Sequence, residues 1–404
     1  MRTGNRDLIK QINRSIILNL IRSQGPLSRT DIARVSGLSL ATVSGITGEL
    51  VGQDYVHETG EGESTGGRPP VLLTLNGRAG FVVGLKLTET SIISVLTDLD
   101  ANVLHSRMTP ITEPHDVQAT LATIIAAIEE TLAERDADRH KVMGVGIGMA
   151  GLVDSAAGVC VYSPYFDWRD VPLAYPIEKH FQLPVYIEND VNTLTIAEQW
   201  FGAAHGIDHF LVVTVGRGIG LGIVTNGRFY RGATGGAGEF GHLTLDENGP
   251  LCDCGKRGCL EAIASDPAVV RMVAEASGRT DGAEPLTFEA VTEAGEKGDP
   301  TALAALHRSG HALGIGMAHL VNLFDPQLIV LAGEGLRAGD ARLAPMREAM
   351  QRNVFTGLAR DLKLVIEPSG DETWARGAAC VVLGELFKHP IHRDERAREL
   401  YTVG

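Results

Sequence analysis

Residues 81–108, FVVGLKLTETSIISVLTDLDANVLHSRM, and residues 209–231, HFLVVTVGRGIGLGIVTNGRFYR, share one plan: three short apolar runs joined by tight turns. Runs of this length, bounded by turn residues, read as strands. After the first copy comes an amphipathic helical segment at about 117–133, then the apolar run VMGVGIGMAG. After the second come further helical segments, then LIVLAGEGL at 328–336. Repeated strands interleaved with helices predict a two-lobed α/β body. Glycines gather where the turns would fall, in GIGMAG, GRGIGLG, GGAGEFGH and LAGEG. Such turns can bring backbone N–H groups close to an anionic ligand, so they predict a cleft between the lobes.

The 404 residues hold two or three domains of ordinary size. Apolar residues make up 44%, which is ample for packed cores and excludes a disordered chain. No stretch approaches the ~18 uninterrupted apolar residues of a spanning helix. Charges are scattered from Arg2 to Arg14, where a signal peptide would carry its apolar region. Five cysteines, an odd number, argue against a secreted disulfide scaffold. These features predict a soluble cytoplasmic protein with no membrane partner.

Charge divides the chain. Residues 1–80 carry nine Lys/Arg and seven Asp/Glu, a net of +2, whereas the remainder carries 27 and 43, a net of −16. So acidic a body repels nucleic acid, which leaves the first 80 residues as the segment able to meet it. Leu8, Ile9, Ile12, Ile16, Ile17, Leu20 and Ile21 form one apolar helical face that ends near Gly25-Pro26. Ser28 with Asp31 resembles a capping pair for a second helix, Gly37 permits a tight turn, and Ser39 can cap a third helix to about Val51. Ile32, Ala33, Leu38, Val43, Ile46 and Leu50 are its expected inward positions. Short helix, turn, short helix is the helix-turn-helix pattern.

The second helix of that motif lies in the major groove, and its early residues meet base edges. Leu40, Ala41, Thr42, Ser44 and Thr47 are the candidates here, beside Gly45. That helix has no Lys or Arg, so phosphate contacts fall to Arg2, Arg6, Lys10, Arg14, Arg29 and Arg34. Apolar runs at Tyr55-Val56 and VLLTL flank GEGESTGGRPP, which reads as a wing. Arg68 within it is placed to enter a minor groove.

Cys252, Cys254 and Cys259 give C-x-C-x4-C, ten residues after His242. Three thiolates and one imidazole make a tetrahedral Zn²⁺ set with no position left for water, hence a structural rather than catalytic site. Cys160 and Cys380 are isolated and read as small core residues.

With these residues in view, the chain resembles the ROK family (repressors, open reading frames and sugar kinases), in its repressor branch. The resemblance runs over nearly the whole chain. It is carried by GHLTLDENGPLCDCGKRGCLEAIAS, GGAGEFGH and PVYIENDVNTLTIAEQWFGAAHG. It implies a winged helix-turn-helix (1–80) on a two-lobed actin-like, ribonuclease-H-type sugar kinase fold with a structural zinc loop. The first lobe would span 81–190, completed by a C-terminal helix at 380–404. The second would span 191–379 and carry the zinc motif and an oligomerisation surface. The zinc ligands implied are His242, Cys252, Cys254 and Cys259. The sugar contacts implied are Asn189, Asp190, Glu239, His242 and Glu261, with Asp190 matching the kinases' catalytic base. Carboxylates and amides suit such hydroxyl contacts, and a ligating imidazole keeps a second nitrogen for a sugar oxygen.

One departure bears on activity. Kinases of the family open the body with Asp-x-Gly-Gly-Thr, which handles Mg²⁺ and ATP phosphates; the matching stretch here is GLKLTET. Lys86 stands where the Asp would be, and Thr88 and Glu89 where the glycines would be. A lysine cannot coordinate Mg²⁺, and Glu89 brings negative charge to the phosphate position. In the second phosphate turn, Arg217 and Leu221 replace the usual Thr and Gly. The expected function is therefore a sugar-responsive repressor of carbohydrate genes and not an enzyme, with Asp190 a vestigial base. It would bind operator double-stranded DNA as a homodimer or homotetramer, with a sugar or sugar phosphate in the cleft closing the lobes and releasing DNA. The alternatives are a ROK sugar kinase with an appended DNA-binding head, or a repressor controlled by a sugar-transport protein. The apolar helical segment at 300–326 is expected to supply lobe core, an oligomer face, or both.

Overall fold

The computed structural model describes residues 6–61, 69–134, 138–278, 285–367 and 370–387. At its N-terminal end, helices α1 (Arg6–Gln24), α2 (Arg29–Ser36) and α3 (Leu40–Gly52) pack with strands β1 (Leu27–Ser28), β2 (Val56–Glu61) and β3 (Val71–Leu75), paired in the order β1-β3-β2. The caps form as the sequence predicts. Ser28 accepts the Asp31 amide, Gly37 takes φ 70°, and Ser39 accepts the Thr42 amide. Ile17, Ile21, Ile32, Val43, Ile46 and Leu50 fill this head's core. Arg2 and Arg68 lie outside the described residues, as does the side chain of Arg6.

The body holds two five-stranded sheets of one topology. In the first, Val185–Asn189, Val142–Met149, Phe81–Leu87, Ser91–Asp98 and Val103–Pro110 lie side by side in that order. In the second the order is Lys363–Glu367, Leu328–Ala332, Phe210–Val215, Ile219–Thr225 and Arg228–Phe229. Each sheet joins an antiparallel meander to two parallel strands, so the repeat read in the sequence is a repeat of fold. A small antiparallel sheet (Leu152–Asp154, Val159–Ser163, Trp168–Pro172) extends the first lobe.

Alternation along Phe81–Leu87 divides the first lobe's packing. Val83, Leu85 and Leu87 join the core shared with helix Val117–Leu132. The even positions face helix Asp371–Phe387, with Gly84 against it and Lys86 reaching its first turn. That helix lies directly on the strands: a Cβ on Gly84 would come within 2.1 Å of the Ala375 carbonyl oxygen, and one on Gly146 within 1.9 Å of that of Ala378. The C-terminal helix thus begins at Asp371 rather than at 380, which moves 371–379 from the second lobe to the first; residues 388–404 lie outside the described set. Cys160 and Cys380 are fully buried. Helix Pro300–Phe324 is mostly buried and packs along Asp340–Asn353, so it supplies lobe core. No helix among the described residues is long and apolar enough to cross a membrane.

Helix Asp190–Phe201 joins the lobes. It springs from the first sheet, packs along helix Asp371–Phe387 and lies across the second sheet. Gly220 and Gly222 make room for it: their Cβ atoms would fall 2.4 Å from Val191 Cγ2 and 1.7 Å from Thr195 Oγ1. The glycines of GRGIGLG thus serve helix packing as well as the turn.

Glu198 of this helix is buried beside Glu367, at the end of a second-lobe strand. Burial, then the Glu367 carboxylate, push its carboxyl up to about 7, opposed by the Ala203 amide and Arg376. The folded chain therefore keeps a proton that the unfolded chain releases at lower pH, and this group's contribution to stability is lost as pH rises from about 4.5 to 7. Glu198→Gln is expected to flatten that slope and to stabilise the chain at pH 8 by about 1–3 kcal/mol. Denaturant titrations at pH 5 and 8 test it; an unchanged difference between the two pH values would contradict it.

Candidate functional site

Asn189 and Asp190 stand where a parallel strand of the first sheet runs straight into a helix, at the strand's carboxyl end. Ligands of α/β proteins gather at such ends. Asn189 caps the helix by accepting the Asn192 amide and donates through Nδ2 to the Gly151 carbonyl at 3.1 Å. Asp190 accepts the Val191 amide at 2.9 Å. Burial pushes its carboxyl up, and the Lys86 ammonium opposes the shift.

The second lobe contributes Glu239, His242 and Glu261. Glu239 Oε2 lies 3.8 Å from His242 Nε2, and Glu261 Oε1 lies 4.0 Å from His242 Nδ1. Glu261 accepts the Ile219 amide at 3.0 Å, and burial raises its carboxyl. It sits on the short helix Leu260–Ala264, whose end is anchored from beneath. There Arg342, fully buried, bonds Asp266 at 2.6 Å, Ser309 at 2.9 Å and the carbonyls of Gly335 and Ala264.

His242, Cys252, Cys254 and Cys259 converge, with one ligand atom from each within 4.8 Å of all the others. Cys252 Sγ is 3.6 Å from His242 Nδ1, and Cys254 Sγ is 3.6 Å from Cys259 Sγ. Sulfurs ~2.3 Å from a tetrahedral ion sit about 3.8 Å apart, whereas a disulfide needs about 2.05 Å. The spacing therefore fits a bound metal ion and not a cystine. Bridges between Thr244 and Cys259 and between Leu251 and Arg257 shape the loop, and Lys256 donates to the His242 carbonyl. The remaining imidazole nitrogen, Nε2, is turned to Glu239.

Several site residues escaped the sequence reading. Tyr165, in the turn between Val159–Ser163 and Trp168–Pro172, faces the second lobe: a Cβ on Gly218 would lie 3.1 Å from its hydroxyl and 3.0 Å from Glu261 Oε2. Glu334, just past strand Leu328–Ala332, accepts the Arg217 amide at 3.0 Å. Glu188, buried, pairs across the lobes with Arg231 at 2.8 Å. The two departures from the kinase pattern also pair. Glu89 of the first lobe and Arg217 of the second form an ion pair across the cleft, and Arg217 stacks 4.1 Å from the Tyr165 ring centroid. Lys86 bonds Asp371 at 2.9 Å and lies 4.3 Å from the Trp374 ring centroid.

In the head, Leu40, Ala41 and Ser44 are exposed and Thr42 is half-buried, along one side of α3. Thr47 is a correction. It is fully buried, donating to the Val43 carbonyl at 2.8 Å and accepting from Arg29 Nε at 3.1 Å, so it offers nothing to a groove. Arg29 also pairs with Glu58 at the base of the wing. Lys10–Glu49 and Arg34–Asp31 are surface pairs, individually weak enough to exchange a carboxylate for a phosphate.

The fold, the metal-type cluster and the head define a two-lobed sugar-kinase-like body bearing a winged helix-turn-helix. The chain belongs to the ROK family, whose family model matches residues 82–385, and an IclR helix-turn-helix domain model matches residues 16–60. It is 34% identical over 395 residues to a putative xylose repressor of Caldicellulosiruptor sp. (strain Rt8B.4), covering 96% of this chain and 99% of that one. It is 30% identical over 384 residues to the N-acetylglucosamine repressor of Escherichia coli O157:H7, covering 94% of each. Its structure superposes at TM-score 0.83, with 30% identity and coverage of 95% and 98%, on a ROK family transcriptional regulator described as a homolog of the E. coli MLC protein. A ROK family glucokinase from Streptomyces griseus, in complex with glucose and AMPPNP, matches at 0.63 with 31% identity, over 75% of this chain and 99% of that one.

The anchor beneath Glu261 carries a stability prediction. Arg342→Leu strands Asp266 as an uncompensated buried carboxylate and is expected to cost about 3–5 kcal/mol in denaturant unfolding. A loss below about 1 kcal/mol would show that the network does not hold this lobe.

Proposed function

We propose that this protein is a sugar-responsive transcriptional repressor. Its head binds operator DNA, and a sugar between the lobes releases it. The observation that carries this reading is the run of helix Asp190–Phe201. One end bears Asn189 and Asp190; the other bears Trp200, on which the head rests. Arg22 of α1 stacks 3.9 Å from the Trp200 ring centroid and 5.4 Å from that of Phe387, and Asn19 donates to the Phe387 carbonyl at 2.6 Å. A ligand drawing Asp190 toward Glu239 and Glu261 moves a rigid element that bears on α1, the helix packed against α2 and α3. Such coupling requires the sugar to bind the two head arrangements with different affinity.

Asn189, Asp190, Glu239, His242 and Glu261 are the proposed sugar contacts, accepting from and donating to vicinal hydroxyls. Leu40, Ala41, Thr42 and Ser44 are the proposed groove contacts, with two heads reading a two-fold site. Phosphotransfer is not part of the proposed function, since the ammonium of Lys86 is engaged by Asp371 and stands where the kinases hold Mg²⁺. A panel of hexoses with MgATP is expected to release no ADP.

The metal proposed for His242, Cys252, Cys254 and Cys259 is zinc, bound structurally. When bound it ties the loop before Cys252 to the start of the helix carrying Glu261. Purified chain is expected to hold one zinc per polypeptide by elemental analysis, and Cys252→Ser to lose it along with sugar binding. A metal-free chain that still binds sugar at full affinity would refute this role.

Fluorescence anisotropy on operator DNA at fixed salt tests the coupling. Sugar is expected to weaken wild-type binding by about 5- to 150-fold. In Arg22→Ala, both ligands should still bind while the effect of sugar falls below about threefold. Full release in that variant would exclude this route.

A further inference from the structure

The charges of the cleft define which sugars it accepts, an inference that rests on the sugar-responsive reading above. The turn Gly216–Gly218 would be the natural place for a phosphate, yet the backbone donors of Gly216 and Arg217, and those of Ile219 and Gly220 just beyond it, are occupied. The Arg217 amide donates to Glu334 and the Ile219 amide to Glu261, each at 3.0 Å. The Gly216 amide donates to the Gly218 carbonyl at 3.0 Å, and the Gly220 amide to Thr214 Oγ1 at 3.2 Å. Two carboxylates therefore stand where a phosphate's oxygens would need to stand, on the same donors.

The two cations of the cleft turns are engaged as well. Arg217 crosses to Glu89 and lies on the Tyr165 ring; Lys86 is held between Asp371 and Trp374. Asp190, Glu239 and Glu261 add further negative charge. A phosphate ester carries about −1.5 to −2 at pH 7, so it would have to displace Glu89 from Arg217 while approaching Glu334. A neutral sugar meets no such opposition, because its hydroxyls donate to the same carboxylates.

We propose that the effector is an uncharged sugar, and that the Glu89–Arg217 clasp, backed by Glu334, excludes its phosphate ester. The two lobes each supply one half of the clasp, so it spans the cleft.

Isothermal titration of the full chain tests this with glucose, N-acetylglucosamine and xylose, and with the 6-phosphates of the first two. The expected result is that each 6-phosphate binds at least about tenfold more weakly than its parent sugar. Glu89→Gln, a change at a half-buried turn position, frees Arg217 and is expected to narrow that ratio by about tenfold or more. A 6-phosphate that binds wild type as tightly as its parent overturns the inference and leaves the sugar-responsive reading standing. A wild-type preference that Glu89→Gln leaves unchanged overturns the role of the clasp. If no member of the panel binds, the sugar-responsive reading itself fails and this inference falls with it. The wild-type ratio decides the main point without any variant.

Discussion

Everything in the body depends on helices approaching strands more closely than side chains normally permit. Gly84 and Gly146 let helix Asp371–Phe387 lie against the first sheet; Gly220 and Gly222 let helix Asp190–Phe201 lie against the second. Gly377 completes the set, since a Cβ there would come within 2.4 Å of the Thr193 carbonyl oxygen. The two helices therefore pack on each other and on both sheets with little between them. A unit packed so tightly passes on displacement instead of absorbing it. That is why the carboxyl end of the first sheet and the base of the head, though far apart in the fold, share one mechanical element.

Charge then sets how the lobes meet. Glu188–Arg231 and Glu89–Arg217 each join one lobe to the other, while Arg342–Asp266 lies within the second lobe. Their roles follow from burial. Arg342 is wholly enclosed, so its pair fixes local geometry and is costly to break. Glu89 and Arg217 are partly open to solvent, so their pair is weak enough to form and part as the cleft moves.

Much of this was legible in the sequence, and the exceptions share a cause. Caps at Ser28, Gly37 and Ser39 are local chemistry, so spacing alone reveals them. The cysteine set is equally local, and the duplicated meander shows because short apolar runs between turn residues carry their own periodicity. Strand Val185–Asn189 escaped because it passes into a helix with no turn residue between them. The usual recognition-helix register turns Thr47 toward DNA, whereas the fold buries it. The spacing of Thr47 agrees with the fold, because Val43, Thr47 and Leu50 fall on one stripe of α3, and that stripe is the buried one. Tyr165, Glu334 and the Glu188–Arg231 pair were out of reach, since each acquires meaning only from a partner distant in the chain.

The same logic explains what replaces a phosphate site in this body. Losing an Asp-x-Gly-Gly-Thr turn would by itself leave a gap lined with amides, still attractive to anions. Here the gap is filled from several directions: Lys86 turns to the C-terminal helix, Arg217 crosses to Glu89, and Glu334 takes the amide of the second turn. Of these, the Arg217–Glu89 pair crosses from one lobe to the other, whereas Lys86–Asp371 lies within the first lobe and Glu334–Arg217 within the second. At this place the lobes are bridged by side chains. Under the proposed function, cleft closure would follow from what occupies the sugar side, the condition a single-ligand switch requires.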